Sequence, residues 1–186
     1  HFALYRVHEG PTPERLANLR ALLSTLGLKL EGADSPEPMD YARLLTQIRA
    51  RPDAQLLQTV LLRSMQQAVY SPHNSGHFGL AYAAYAHFTS PIRRYPDLIT
   101  HRAIKAVLAR GRYTPELLGV PTEPLSLSAR RSLKSAQSRG SEQGSAVGVW
   151  EKLGLLCSAN ERRADEASRD VEAWLKSYYM RERVGE

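Results

Sequence analysis

A run of apolar and small residues at alternating spacings of three and four extends from residue 150 to residue 178. This spacing places one residue per turn on a single face of an α-helix, and at about 1.5 Å of rise per residue it predicts a helix of about 43 Å. We expect the helix to pack along its own domain, although a coiled coil is the alternative. The positions are Trp150, Leu153, Cys157, Asn160, Ala164, Ala167, Val171, Trp174 and Tyr178.

Three shorter helices and one strand are predicted in the first part of the chain. Residues 1–9 favour a short strand. The first helix follows Thr12, which suits the N-cap position, and ends at Gly27. Asp40 and Asp53 begin the second and third helices, which carry apolar residues at helical spacing.

The next segment changes from a strand pattern to a helix pattern. Residues 77–89 contain two runs with a period of two, which predict a short strand segment. Ser90 and Pro91 suit the N-cap and first positions of a helix that continues to Gly111. Residues 111–146 are rich in Pro, Ser, Gly and basic residues, which predicts a flexible surface loop. The predicted class is therefore α+β and mostly helical.

The composition gives limited information about the cellular location of the protein and its binding partner. A single cysteine, Cys157, excludes an intrachain disulfide and favours the cytoplasm. No stretch approaches the roughly 18 apolar residues of a membrane helix, and the N-terminus lacks the layout of a signal peptide. Since the chain does not begin with Met, we expect a processed chain or a segment of a longer protein. The formal charge of +6 is compatible with a polyanionic partner without requiring one.

Two adjacent arginines give the first specific indication of chemistry. Arg93 and Arg94 fall in the first turn of the predicted helix, where unpaired backbone N–H groups already carry partial positive charge. An anion opposite them would relieve this repulsion, and bidentate guanidinium groups suit a phosphate. The alternative is that Asp97 pairs with the arginines along the helix, which is easier for one of them than for both.

Aromatic and histidine side chains surround these arginines in the sequence. They are Tyr82, Tyr85, His87, Phe88 and Tyr95. Rings beside a phosphate site are typical of single-stranded RNA binding, in which bases stack while cations hold the backbone. The alternative for any one ring is an ordinary place in the core.

The same segment resembles a known family. The motifs are GHFGLA at residues 76–81, YAHFTSPIRRYPDL at 85–98 and HRAI at 101–104. They are similar to the signature of the RNB-type exoribonucleases, the ribonuclease R and ribonuclease II family. The resemblance covers about residues 2–110 and 150–186. It implies that residues 1–186 are the C-terminal portion of one RNB-type catalytic domain, without a cold-shock or S1 domain.

The resemblance also implies an activity. Members of this family hydrolyse RNA processively from a single-stranded 3′ end to nucleoside monophosphates, with Mg²⁺. The arginine that corresponds to Arg93 contacts the reacting phosphate. Arg94 and Tyr95 carry over as neighbouring RNA-binding residues, and His77, Tyr85, His87 and Ser90 are further RNA-binding candidates within the matched motifs.

This chain departs from the family in its acidic residues. The family holds its metal with clustered aspartates, whereas the six aspartates here are scattered at positions 34, 40, 53, 97, 165 and 170. We therefore expect no bound metal and no activity from the isolated chain, and we expect it to contact the remainder of its own polypeptide or to self-associate. Two alternatives remain: a non-catalytic RNA-binding or adaptor module, and a helical interaction protein built on residues 150–178.

Overall fold

The computed structural model describes residues 3–115 and 146–184, which fall into two compact units. The first unit comprises residues 3–101, and the described residues from 102 onward belong to the second. The predicted class, α+β and mostly helical, is confirmed. The elements are β1 (Tyr5–Val7), α1 (Pro13–Thr25), α2 (Pro38–Ile48), α3 (Ala54–Ser64), β2 (Val69–Ser71), a short 3₁₀ helix (Phe78–Leu80), α4 (Tyr95–Leu108) and α5 (Ala146–Met180).

Side-chain capping contacts mark the start of the first two helices, and the third begins where the sequence predicts it. The hydroxyl of Thr12 accepts a hydrogen bond from the Arg15 backbone N–H at 3.3 Å, which confirms the predicted start of α1. Glu37 and Asp40 form a reciprocal capping box at the start of α2. Asp53 precedes the first residue of α3 as predicted.

These helices enclose the core of the first unit. Their buried side chains, together with two leucines that follow α1, form one apolar cluster. The Tyr41 hydroxyl reaches into this cluster and hydrogen-bonds Ser64 Oγ at 3.1 Å, so its polar group is satisfied. Each fully buried large side chain contributes roughly 1.5–3 kcal/mol. The cluster comprises Leu16, Leu19, Leu23, Leu28, Leu30, Tyr41, Leu44, Ile48, Leu57 and Leu61.

The two strands pair with each other although all three helices lie between them in the sequence. β1 and β2 are antiparallel, with Tyr5 opposite Ser71 and Val7 opposite Val69. On the chain beyond β1, His8 forms an isolated bridge with His77. The pairing therefore brings the residues that follow β2 beside the first strand.

The predicted strand segment at 77–89 is wrong in its local structure. Only isolated bridges form there, at His77 and Tyr82, and residues 78–80 make a 3₁₀ turn. Gly76 and Ala81 take left-handed backbone conformations, with φ of +77° and +55°, which an extended strand does not tolerate. The regular strand near this segment is β2, which precedes it.

The predicted start of α4 is also wrong. The helix begins at Tyr95, and Ser90 instead begins a separate turn, because the backbone N–H groups of Arg93 and Arg94 both donate to its carbonyl oxygen at 3.3 and 3.0 Å. Two prolines restrict the chain here, at positions 91 and 96. The arginines therefore precede the helix and do not lie in its first turn.

The long C-terminal helix is confirmed, and α5 extends the predicted run at both ends. Trp150, Leu153 and Cys157 near its start are buried. Every described residue from Arg163 onward is exposed, including the alanines expected to lie against another backbone. The expected packing thus holds only for the first turns. No described helix is long and apolar enough to span a bilayer, and nearly all of the predicted basic loop at 111–146 lies outside the described residues.

Candidate nucleic-acid interface

A single carboxylate oxygen organises the turn that carries the two arginines. Oδ1 of Asp97 accepts the backbone N–H of Ser90 at 2.8 Å and the Nη2 of Arg94 at 2.9 Å. The Asp97 side chain is completely buried and that of Arg94 is 24% exposed. The same oxygen therefore holds the residue that begins the turn and the residue that ends it.

The two arginines consequently differ in what they can bind. Arg94 is paired with Asp97, as the alternative interpretation required for one of them. Arg93 is exposed, and within the described residues its side chain has no ion pair or hydrogen bond. Its guanidinium group keeps all five N–H donors for a ligand, which suits bidentate contact with a phosphate.

Four aromatic and imidazole rings contact one another in the first unit, which also contains the two arginines. Tyr85 is central: its ring centroid is 5.3 Å from that of His77, 5.7 Å from that of His87 and 6.1 Å from that of Tyr82. We call His77, Tyr82, Tyr85 and His87 the ring cluster. Three of the sequence-predicted RNA-binding residues therefore meet, whereas Arg93 makes no cation–π contact with these rings among the described residues.

Both strands support the ring cluster through residues that sequence reasoning missed. Tyr70 on β2 hydrogen-bonds His87 Nδ1 through its hydroxyl at 2.8 Å, and the Arg6 guanidinium lies 4.5 Å above the Tyr70 ring. The Arg6 backbone N–H donates to the Tyr85 carbonyl oxygen at 2.8 Å. No local pattern signals these partners, because they depend on the pairing of β1 with distant segments.

Two histidines at one end of the cluster have defined hydrogen-bond roles. Nδ1 of His8 accepts the Gly79 N–H at 3.0 Å while its Nε2 donates to the Gln66 carbonyl at 2.7 Å. Nδ1 of His77 accepts the Leu80 N–H at 3.2 Å. Burial lowers the pKa of His77 below 6.5, and the nearby His8 and Arg6 lower it further. His77 is therefore a neutral ring at neutral pH.

Several rings remain accessible to a ligand. Tyr82 is 58% exposed, Phe88 46% and Tyr95, the first residue of α4, 45%. Phe88 stacks on His101 with centroids 4.2 Å apart and planes within 5°, and His101 Nε2 donates to the Phe88 carbonyl at 2.8 Å. Exposed rings that are held in place offer flat surfaces on which nucleobases can stack.

The described residues do not fit a magnesium site. No three His, Cys, Asp or Glu side chains among them converge as metal ligands. Asp97 and His101, one turn apart on α4, are each committed to other partners, namely Arg94 with Ser90 and the Phe88 carbonyl. Octahedral Mg²⁺ needs convergent oxygen ligands, and this part of the chain does not supply them.

The fold, together with the turn that carries the sequence motif, points to one protein family. The RNB domain model matches residues 1–110, and the chain belongs to the RNB domain family. The family expected from the sequence motifs is thereby confirmed.

Relatives of the chain within this family include ribonuclease R proteins. The chain is 48% identical to ribonuclease R of Escherichia coli (strain K12) and 49% identical to that of Vibrio cholerae serotype O1, over 98% and 99% of its length. It spans about a fifth, 20%, of the length of each. A solved structure of Mycoplasma genitalium RNase R in complex with ribose-methylated single-stranded RNA matches 99% of this chain and 25% of that one, with 25% identity and a TM-score of 0.71.

Proposed function

We propose that this chain is part of the catalytic domain of a processive, magnesium-dependent 3′→5′ exoribonuclease, and that Arg93 contacts the reacting phosphate. The observation that carries the proposal is the division between the two arginines: Asp97 neutralises Arg94, and Arg93 stays exposed beside it. Membership of the RNB family and likeness to ribonuclease R support RNA as the ligand.

The ring cluster supplies the second part of the proposal. In this reading Tyr82, with more than half of its surface exposed, and Phe88 stack on nucleobases while Arg93 holds the backbone. Tyr85, which is in ring contact with His77 and His87, holds Tyr82 in place, and His101 holds Phe88. Tyr95 and Ser90 flank the phosphate contact on either side of the turn.

The isolated chain is proposed to be inactive. Hydrolysis of a phosphodiester requires an activated water and compensation of the charge that develops on the phosphate. Arg93 can provide only the second of these. The described residues hold no convergent carboxylates, so a metal would have to be held elsewhere in the full-length protein.

End-labelled RNA tests the direction and the residue together. With Mg²⁺, the full-length protein should release labelled mononucleotide at once from 3′-labelled single-stranded RNA, and it should leave a short final product from 5′-labelled RNA. Arg93→Ala should slow release by roughly 10²–10³-fold, comparable with the loss of one transition-state donor. Arg49→Ala, at an exposed arginine at the end of α2, is the matched control and should retain the wild-type rate.

Other outcomes would contradict specific parts of the proposal. Degradation of circular RNA would show an endonuclease. Tight RNA binding by a full-length protein that releases no nucleotide would favour the non-catalytic RNA-binding module. Magnesium-dependent degradation by the isolated chain would refute its predicted inactivity.

A further inference from the structure

The buried carboxylate of Asp97 is costly for the fold. A charge removed from water needs compensation, and Asp97 Oδ1 provides it by accepting both Ser90 N–H and Arg94 Nη2. Among the described residues, Oδ2 has no hydrogen-bond partner. Arg94 Nε is likewise buried, with no hydrogen-bond partner in the part of the chain that the structure describes. A buried charge that binds both ends of the turn carrying Arg93 can also have a role in fixing that turn.

Its geometry shows what that role can be. Ser90 and Arg94 are the first and last residues of the turn, and both are tied to the same oxygen. The backbone N–H groups of Arg93 and Arg94 donate to the Ser90 carbonyl, so the turn is closed from both sides. Arg93 is exposed on this closed turn, and within residues 3–115 and 146–184 its side chain has no hydrogen bond or ion pair.

We propose that Asp97 is a positioning residue: it fixes the Ser90–Arg94 turn so that Arg93 meets the reacting phosphate, and it withdraws Arg94 from direct contact with RNA. This inference rests on the proposed function, because it needs Arg93 to act on the phosphate. It reassigns Arg94, an RNA-binding candidate on sequence grounds, to the support of its neighbour. A shift of about 1 Å in a positioned group can cost about a hundredfold in rate.

The near-isosteric substitution Asp97→Asn in the full-length protein separates positioning from binding. An amide oxygen can still accept the Ser90 N–H, but the ion pair with Arg94 is lost. The rate of nucleotide release in single turnovers should fall by about a hundredfold. RNA affinity should be unchanged or tighter, because a negative charge is removed and Arg94 is freed. Rates are normalised to the RNA-binding-competent fraction, which stoichiometric titration gives.

A matched control exists in the same unit. Arg51 and Asp53 form another arginine–aspartate pair at the start of α3, with two hydrogen bonds of 2.8 and 2.9 Å and both side chains about one-third exposed. Asp53→Asn removes a comparable ion pair away from the turn, so its release rate should equal that of the wild type. A hundredfold loss in this control would show that any lost ion pair disables the enzyme, and would overturn the inference.

A double-mutant cycle with Arg93→Ala provides the decisive measurement. If Asp97 acts through Arg93, then Asp97→Asn should change the rate less than about twofold when Arg93 is already alanine. The same fold loss in both backgrounds, or a loss explained by weaker RNA affinity, would overturn the inference. Should Asp97→Asn fail to fold, Arg94→Lys takes its place in the cycle, because it keeps a cation opposite the carboxylate while losing the guanidinium geometry.

Failure of the underlying proposal would look different. A wild-type protein that degrades no RNA would refute the proposed function, and the positioning role with it. An active wild type with an equally active Arg93→Ala variant would remove Arg93 from the reaction. An active wild type, an impaired Arg93→Ala variant and an additive cycle would refute the role of Asp97 alone.

Discussion

Replacing Arg94 with alanine would leave the Asp97 carboxylate buried without its guanidinium partner. Removal of one member of a buried ion pair costs about 3–5 kcal/mol. Here the Ser90 N–H remains at 2.8 Å and the Arg94 side chain is already 24% exposed, so part of that penalty is relieved. We expect a local destabilisation of about 2–4 kcal/mol. Arg93→Ala, at an exposed side chain that pairs with no described residue, should cost less than about 0.5 kcal/mol.

Hydrogen exchange measured by mass spectrometry can detect this difference in the full-length protein. Peptides that cover the turn and α4 report the free energy of local opening. Because about 1.4 kcal/mol corresponds to tenfold, Arg94→Ala should speed their exchange by roughly 30- to 700-fold, up to the limit set by global unfolding. Arg93→Ala should leave exchange in the same peptides unchanged.

The Arg51–Asp53 ion pair provides a control for the loss of an arginine–aspartate pair. Arg51→Ala breaks the surface pair with Asp53 and should not affect exchange in α4. Equal exchange in the Arg93→Ala and Arg94→Ala proteins, with RNA affinity lowered only in the second, would refute the division described above. It would show that Arg94 is the arginine that binds the ligand.

Two predictions concern titrating groups. Burial, with a smaller effect of Glu161, raises the pKa of Cys157 to about 12, so this thiol should resist alkylation at about pH 8 in the folded protein and react on unfolding. The pKa of His77 is lowered below 6.5, so the unfolded chain takes up the proton first as the pH falls. His77 therefore costs no stability well above pH 6.5 and destabilises the fold as the pH falls below it. Between about pH 7.5 and 5.5, the thermal midpoint should fall more in the wild type than in His77→Gln.

Sequence reasoning succeeded where the chemistry was local. The Thr12 cap is three residues from its donor, and the run that became α5 repeats every turn, so both could be inferred without knowing any tertiary contact. The motif at residues 76–98 was sufficient to identify the family, because it contains many specific residues in one stretch.

Sequence reasoning failed where residues distant in sequence determine the backbone conformation. The alternation at 77–89 looked like strands, but a left-handed Ala81 and the bridge to His8 convert it to a turn. At the start of α4, Ser90 had the chemistry of an N-cap. The carboxylate of Asp97, seven residues on, binds its N–H and places a turn ahead of the helix. No local sequence pattern indicated that Arg6 and Tyr70 would contact the ring cluster.

The pairing of β1 with β2 sets the order in which the site can form. All of α1, α2 and α3 lie between the two strands in the chain, so the entropy lost on closing that long loop is offset only after the helices have collapsed. The ring cluster depends on this pairing through Arg6 and Tyr70. We therefore expect α1, α2 and α3 to form early and the ring cluster late, and mild denaturation to remove them in the reverse order.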